Sequence, residues 1–295
     1  MSEAGAATES ARMADIETVV LESIVETADT RTLVLDMRGR HFNWRAGQYV
    51  SIDPHQFAGL QGFVAYLEHQ KGRKEAPRAY SMSSSPDERH LAITIKEELF
   101  VPGRTKYPPL ISGFLVHQVR AGDRMIVRGF AGAYVLPADV ESRFEHVLHL
   151  CAGSGSVPNL SMIKDSLLRH RRLRHTLVYS NKTWDDIIFR DALTVLAAAH
   201  PDRLLVFHSL TREAGLLRYG AAVRSGRVGA DLLGEILAQE PLSLVYACGP
   251  AITVWERRAC AAQGVTPAPQ FLEAMMSHLR TLEVPRERIR TEAFG

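Results

Sequence analysis

Cysteine is scarce in this chain. There are three in 295 residues, Cys151, Cys248 and Cys260, an odd number at wide spacing. They fit no zinc or iron–sulfur ligand pattern and point to reduced thiols in a cytoplasmic protein. Long apolar runs are also missing, and none approaches the ~20 residues a membrane span needs. Charge of one sign does not dominate either: the formal net charge is +2, so no overall field favours nucleic acid or an anionic membrane. The opening residues 1–14, MSEAGAATESARMA, have no apolar h-region and read as a disordered start rather than a signal peptide. No internal repeat or low-complexity tract is visible. His146 and His149 stand three apart in a strand-like run, so they face opposite sides, and no metal site is expected there.

What is present is the composition of a globular protein, 46% hydrophobic and 23% charged, with length enough for two domains. Up to about Pro137 the signal is of short β-rich runs bounded by turn residues: 17–24, 32–36, 48–52, 90–96 and 124–128. They predict an antiparallel barrel or sandwich of about six strands. The segment 57–76 reads as a surface insertion with a short helix near Phe63–Glu68. Beyond Glu145 strands and helices alternate. The strands are expected at 146–151, 175–180, 203–209, 243–248 and 288–293, and the helices at 158–170, 190–199, 229–238 and 269–282. Such alternation predicts a parallel sheet covered on both faces, with ligands at the carboxyl ends of its strands. The expected division is residues 15–140 and 141–295.

The chain is organised around Leu148–Pro158, an apolar run that enters the turn Gly153-Ser-Gly155 and then a helix opened by Pro158. A strand feeding Gly-x-Gly into a helix start gathers free N–H groups at the positive helix end, which suits a phosphate. Taken alone, the turn fits an ordinary strand–helix junction as well. Upstream, Arg78-Ala79-Tyr80-Ser81 offers a guanidinium fork, a flat ring two residues on, and a hydroxyl. Read without context it could equally be a surface arginine beside a half-buried tyrosine. Downstream, Cys248-Gly249-Pro250 closes a buried run, where the glycine leaves room for a flat ring. Thr211-Arg212-Glu213 follows one parallel strand and Ser180-Asn181-Lys182 another. NAD sites more often place an acidic residue after the second strand, where this chain has the non-acidic Ser180-Asn181-Lys182, although Arg212 alone could be a solvated loop arginine.

The order of these motifs resembles the ferredoxin–NADP reductase superfamily over nearly the whole chain. Phe42-Asn-Trp-Arg-Ala-Gly-Gln48, Arg78-Ala-Tyr-Ser81, Ser112-Gly-Phe-Leu115, Ala121-Gly-Asp123 and Gly129-Phe-Ala-Gly-Ala-Tyr134 are similar to its FAD barrel, with Phe130 where the family has proline. Gly153-x-Gly155-x-x-Pro158, Cys248-Gly249-Pro250 and Glu292-Ala293-Phe294 are similar to its pyridine-nucleotide part.

The resemblance implies an antiparallel FAD-binding β-barrel followed by an α/β parallel-sheet nucleotide domain. It implies that Arg78 holds the FAD pyrophosphate, that Tyr80 stacks on the isoalloxazine, and that Ser81 bonds near its N5, with Ala79 beside them. Ser112 would receive the diphosphate, although Pro109 stands where the family often has a donor glycine. Gly153, Gly155, Pro158, Gly249 and Pro250 would line the nucleotide site, and Thr211 and Arg212, with Lys182, would meet a 2′-phosphate. Ser81, Cys248 and Glu292 would serve the chemistry, and Phe294 would cover the flavin unless the terminus frays. The implied cofactors are FAD and NADPH, with NADH possible. The implied partner is a ferredoxin or another iron–sulfur acceptor on a separate protein, since the chain is similar to the reductase portion of oxygenase reductases acting on aryl-CoA or steroid substrates but without their fused ferredoxin domain. A flavin or ferric reductase with a small-molecule acceptor, or an electron-conducting subunit of a larger complex, are the alternatives. The basic run Arg169–His175 is a solvated helix end or a dock for an acidic protein. No feature fixes an oligomeric state, and the role of 251–269 is open.

Overall fold

In the computed structural model, residues 14–40, 42–102, 105–215 and 219–294 are described. The expected disordered start lies, apart from Ala14, outside them. Period-two alternation of buried and exposed residues builds the first sheet: β1 (Asp15–Thr27) buries Ile16, Thr18 and Val20, and β6 (Arg124–Ala131) buries Met125 and Val127. With β2 (Thr30–Asp36), β3 (Tyr49–Ile52), β4 (Arg78–Ser81) and β5 (Leu91–Lys96) these form six antiparallel strands in the order β4-β3-β6-β1-β2-β5. A bridge between Met82, just past β4, and Ile93 of β5 joins the two edges. The sheet is therefore a closed barrel, which removes its exposed edges.

The segment expected as a surface insertion is more than that. It forms α1 (Gln61–Lys71), whose Val64 and Leu67 join Leu60 in the barrel's own core. The apolar positions are three and four apart, so one stripe of an otherwise polar helix is enough to cover the barrel.

The second sheet is parallel. It contains β7 (His146–Ala152), β8 (Arg174–Asn181), β9 (Leu204–Leu210), β10 (Val223–Ser225), β11 (Leu244–Pro250) and β12 (Ile289–Phe294), in the order β10-β9-β8-β7-β11-β12. Its central strands read as continuous apolar runs because both faces are covered. Cys151 and Leu177 pack with α4 (Ser156–Arg169) and α5 (Arg190–Ala199). Leu148, Leu150 and Val245 pack with α6 (Ala230–Gln239) and α8 (Phe271–Thr281). A further cluster, including Ala46, Tyr134, Leu136, Val147, Met162 and Tyr246, fills the joint between the two sheets.

Elements not foreseen include the short helices α2 (Ser112–His117) and α3 (Val140–Arg143), the strand β10 and the helix α7 (Val254–Ala262). β10 has only three residues, too short for a periodic signal. α7 buries no residue, so it has no apolar stripe to reveal it, and it is fixed instead by a Thr253–Glu256 capping box. The strand order reverses between β7 and β11. In parallel α/β sheets that switch point opens a crevice outside the carboxyl ends of the strands.

Candidate functional site

The crevice is a cavity of about 780 Å³ between the barrel and the parallel sheet. The size suits an extended ligand with several aromatic parts. Ala79, Tyr80 and Ser81 of β4 form the barrel wall, with Lys96, Glu97 and Glu98 where β5 runs out. Across from them stand Gly153 and Ser154 after β7, Asn181 at the end of β8 with Lys182 beyond it, Thr211 and Arg212 after β9, Pro250 at the end of β11, and Phe294 of β12. Residues more than two hundred positions apart thus share one space.

The Gly153–Gly155 turn is built from two glycines with different tasks. Gly153 has φ +53°, in the left-handed region, and a side chain there would meet open space. Gly155 has an ordinary backbone (φ −61°) but lies against the Cys248 carbonyl, where no Cβ fits. The Gly153 carbonyl is turned inward and accepts from the Tyr179 hydroxyl at 2.9 Å and from Ser156 Oγ at 3.0 Å. The first N–H groups of the helical run that follows have no partner within that run. Pro158 lies buried in the first turn of α4, two residues after its start.

Two buried polar atoms in the cavity wall, Ser81 Oγ and Asn181 Nδ2, have no hydrogen-bond partner among the described residues. A buried group left in this state costs about 1–3 kcal/mol, so both walls call for a ligand bearing heteroatoms. Together with the flat Tyr80 ring beside Ser81, this donor and acceptor set fits a flavin. Burial first, and then the Glu98 charge, push the Tyr80 hydroxyl well above its usual range, so the ring stays neutral.

Backbone hydrogen bonds from Thr211 and Arg212 to the carbonyls of Asn181 and Lys182, at 3.0 and 2.7 Å, clip the loops after β8 and β9 together. Lys182 and Arg212 therefore stand at one end of the cavity, joined by Arg227. Arg227 follows the short β10 and left no trace in the sequence pattern. Phe271, Ala274, Met275 and His278 of α8 also line the cavity. Their spacing of three, four and seven was visible as a second helix face, but nothing in the sequence said what that face meets.

Several expected site residues stand outside the wall. Arg78 donates to Glu75 Oε2 and to the Ala76 carbonyl, both at 2.6 Å. Ser112 is buried at the start of α2 (Ser112–His117), where its Oγ accepts from the Glu98 amide at 3.0 Å. Gly249 packs against Phe271. Cys248 is fully buried behind Pro250, and burial pushes its thiol well up, so it remains protonated. Glu292 pairs with Cys248 in the parallel register, and burial raises its carboxyl to about 7. Phe294, far from fraying, pairs with Pro250.

Two arginines of the basic run are held in ion pairs: Arg169 with Asp165 and Asp87, and Arg174 with Glu240. No three His, Cys, Asp or Glu side chains cluster in a metal-binding arrangement among the described residues. Among the same residues no helix is long and apolar enough to cross a membrane.

Residues 150–254 match the oxidoreductase NAD-binding domain family. The ferredoxin reductase component of a 3-ketosteroid-9-alpha-monooxygenase from Mycolicibacterium smegmatis is 33% identical over 279 residues, covering 95% of this chain. This chain spans 65% of that relative's length. The fold is shared with the FAD/NAD-binding domain of a nitric oxide dioxygenase from Vibrio cholerae (TM-score 0.68, 22% identity, 95% of this chain and 98% of that one). It is shared too with ferredoxin–NADP+ reductase from Plasmodium falciparum with 2′P-AMP (TM-score 0.64, 16% identity, 95% and 96%). A relative alike along almost the whole chain, a matched nucleotide-binding segment and a common two-sheet architecture agree in likening the chain to the ferredoxin–NADP reductase superfamily.

Proposed function

We propose that this protein is an FAD-dependent oxidoreductase that takes electrons from NADPH and passes them to a one-electron acceptor, a ferredoxin or another iron–sulfur protein. The observation that carries the proposal is the single cavity in which Tyr80 and Ser81 face the Gly153 turn, Pro250 and Phe294. Bound FAD would supply the conversion between a two-electron hydride donor and one-electron acceptors. In this reading residues 15–140 hold the flavin and 141–295 the nicotinamide nucleotide. Tyr80 presents its ring to the isoalloxazine, and Ser81 Oγ gains the partner it lacks within the protein. Arg78, steadied by Glu75, directs its remaining N–H groups at the pyrophosphate, with Ser112 nearby. Phe294 and Pro250 narrow the cavity so that water is kept from the stacked rings. Cys248 acts by position, as a buried thiol behind Pro250, and Glu292 can hold a proton near neutral pH beside it.

Choice of acceptor is tested with FAD-loaded protein, NADPH, and a panel containing a [2Fe–2S] ferredoxin, free flavin and ferric chelate. The proposal expects the ferredoxin to be reduced fastest. Rapid turnover with free flavin or chelate, and none with ferredoxins, would overturn the assignment of acceptor.

Preference for NADPH rests on the cationic end formed by Arg212, Lys182 and Arg227. NADPH differs from NADH by one phosphate, and a guanidinium meeting it contributes roughly 1.5–3 kcal/mol. Arg212→Ala is therefore expected to lower kcat/KM for NADPH about tenfold to hundredfold and to leave NADH nearly unchanged. Equal loss with both nucleotides, or a wild-type preference for NADH, would refute the role of Arg212.

A further inference from the structure

Four polar side chains with at most 1% exposure run in a line beneath the Gly153–Gly155 turn: Ser166, His175, His149 and Asn159. They come from α4, β8 and β7, and consecutive members are hydrogen-bonded. Ser166 Oγ lies 2.8 Å from His175 Nε2, His175 Nδ1 3.1 Å from His149 Nε2, and His149 Nδ1 2.8 Å from Asn159 Oδ1. The line ends with Asn159 Nδ2 donating to the Gly155 carbonyl at 2.7 Å.

That last bond fixes all the others. A backbone carbonyl only accepts, so the Asn159 nitrogen faces Gly155 and its oxygen faces His149. His149 must then carry its proton on Nδ1. A neutral imidazole has one donor and one acceptor, so His149 Nε2 accepts from His175 Nδ1–H, and His175 Nε2 accepts from the Ser166 hydroxyl. Burial holds both imidazoles neutral, with His149 at about 4 and His175 well below its ordinary value. Every donor in the line points toward the glycine turn. The Tyr134 hydroxyl, in the joint between the two sheets, donates to the second lone pair of Asn159 Oδ1 at 3.4 Å.

We infer that this one-directional line is a positioning relay: it clamps the Gly155 carbonyl from below and so holds the turn's amide groups in the arrangement that receives the nicotinamide dinucleotide. The inference rests on the reading of that turn as the dinucleotide site. Aligned hydrogen bonds polarise one another, so a break two residues away weakens the bond at Gly155. Asn159, His149 and His175 are positioning residues and do not enter the cavity wall.

The experiment compares His149→Leu, which cuts the line, with His149→Gln, whose amide again offers one donor and one acceptor. Two quantities are read on FAD-loaded protein: the Kd for NADP+ by calorimetry, and hydrogen exchange of the amides at 153–157 by mass spectrometry. His149→Leu is expected to bind NADP+ about tenfold more weakly and to exchange faster at the turn, while flavin content is unchanged. His149→Gln is expected to stay within about twofold of wild type on both. A purely structural cluster predicts otherwise: the His175 N–H and Asn159 Oδ1, stripped of their His149 partner, would lower the global stability, while the Kd for NADP+ of the folded protein stays within about twofold of wild type. Wild-type affinity and exchange in His149→Leu would overturn the relay. If His149→Leu does not fold, His175→Leu cuts the line one step further back and is read in the same way. Should wild type itself bind no NADP+, the dinucleotide reading falls, and exchange at the turn still decides the relay.

Discussion

Gly155→Ala is expected to abolish tight nicotinamide-nucleotide binding while the barrel keeps its flavin. The backbone at Gly155 would accept an alanine, since its φ is −61°. The obstacle is space: a Cβ would overlap the Cys248 carbonyl oxygen and crowd the amide of Gly249, both backbone atoms of β11. No flexible side chain can swing aside, so either the turn lifts from the sheet or β11 shifts at the point where Cys248 and Pro250 stand. Overpacking of this kind costs about 3 kcal/mol, at the upper end of its usual range. Gly153→Ala is the control. It meets no atom and pays only for a left-handed backbone, about 1–2 kcal/mol. Denaturant unfolding and NADP+ calorimetry on the two variants should therefore rank Gly155→Ala as the more damaging. The opposite ranking would mean that the turn does not pack on β11 as described.

A steep loss of stability between pH 6.5 and 4 is the second large effect expected. Burial lowers His149 and His208 to about 4 from the ordinary 6.5, and both are at most 8% exposed. Their folded pKa is below the unfolded value, so the unfolded chain binds more protons in this window. Their full contribution is present above pH 6.5 and drains away as pH falls to about 4. Each unit of pH removes about 1.4 kcal/mol per histidine, so each of the two removes about 3 kcal/mol over the window. His146, also lowered to about 4 by burial, and His175 act with the same sign. Glu292 opposes them. Its folded pKa of about 7 lies above its ordinary 4.5, so its proton uptake favours the folded state as pH falls through the same range. One half-buried carboxyl offsets part of what four buried histidines lose. Urea midpoints measured from pH 8 to pH 4 should fall steeply below 6.5, and a flat profile would mean these imidazoles are solvated.

The parts of the site that are local in sequence were legible from it. Gly153 and Gly155 could be assigned to a strand–helix turn because the apolar run before them and the helix after them leave few other conformations. The joining of Tyr80 and Ser81 to that turn was legible only through the resemblance, since nothing in their spacing brings residues seventy apart into one cavity. What escaped was non-local. Glu75 holds Arg78 because α1 packs on the barrel core and returns the chain to β4. The same packing explains why 57–76 is not a mere surface insertion. Arg227 reaches the cavity from a strand too short to carry a periodic pattern. His149 read as one of two histidines on opposite faces of a strand and His175 as the end of a basic run, and only the register of β7 beside β8 makes them neighbours.

The central claim is that one cavity holds both a flavin and a nicotinamide nucleotide in working contact. Anaerobic titration of the purified protein, supplied with FAD, tests it most directly through the visible absorbance of the bound flavin. The account predicts one FAD retained per chain and full bleaching by a stoichiometric amount of NADPH, with NADH less effective. Failure to retain FAD, or a bound flavin that neither nucleotide bleaches, would contradict it.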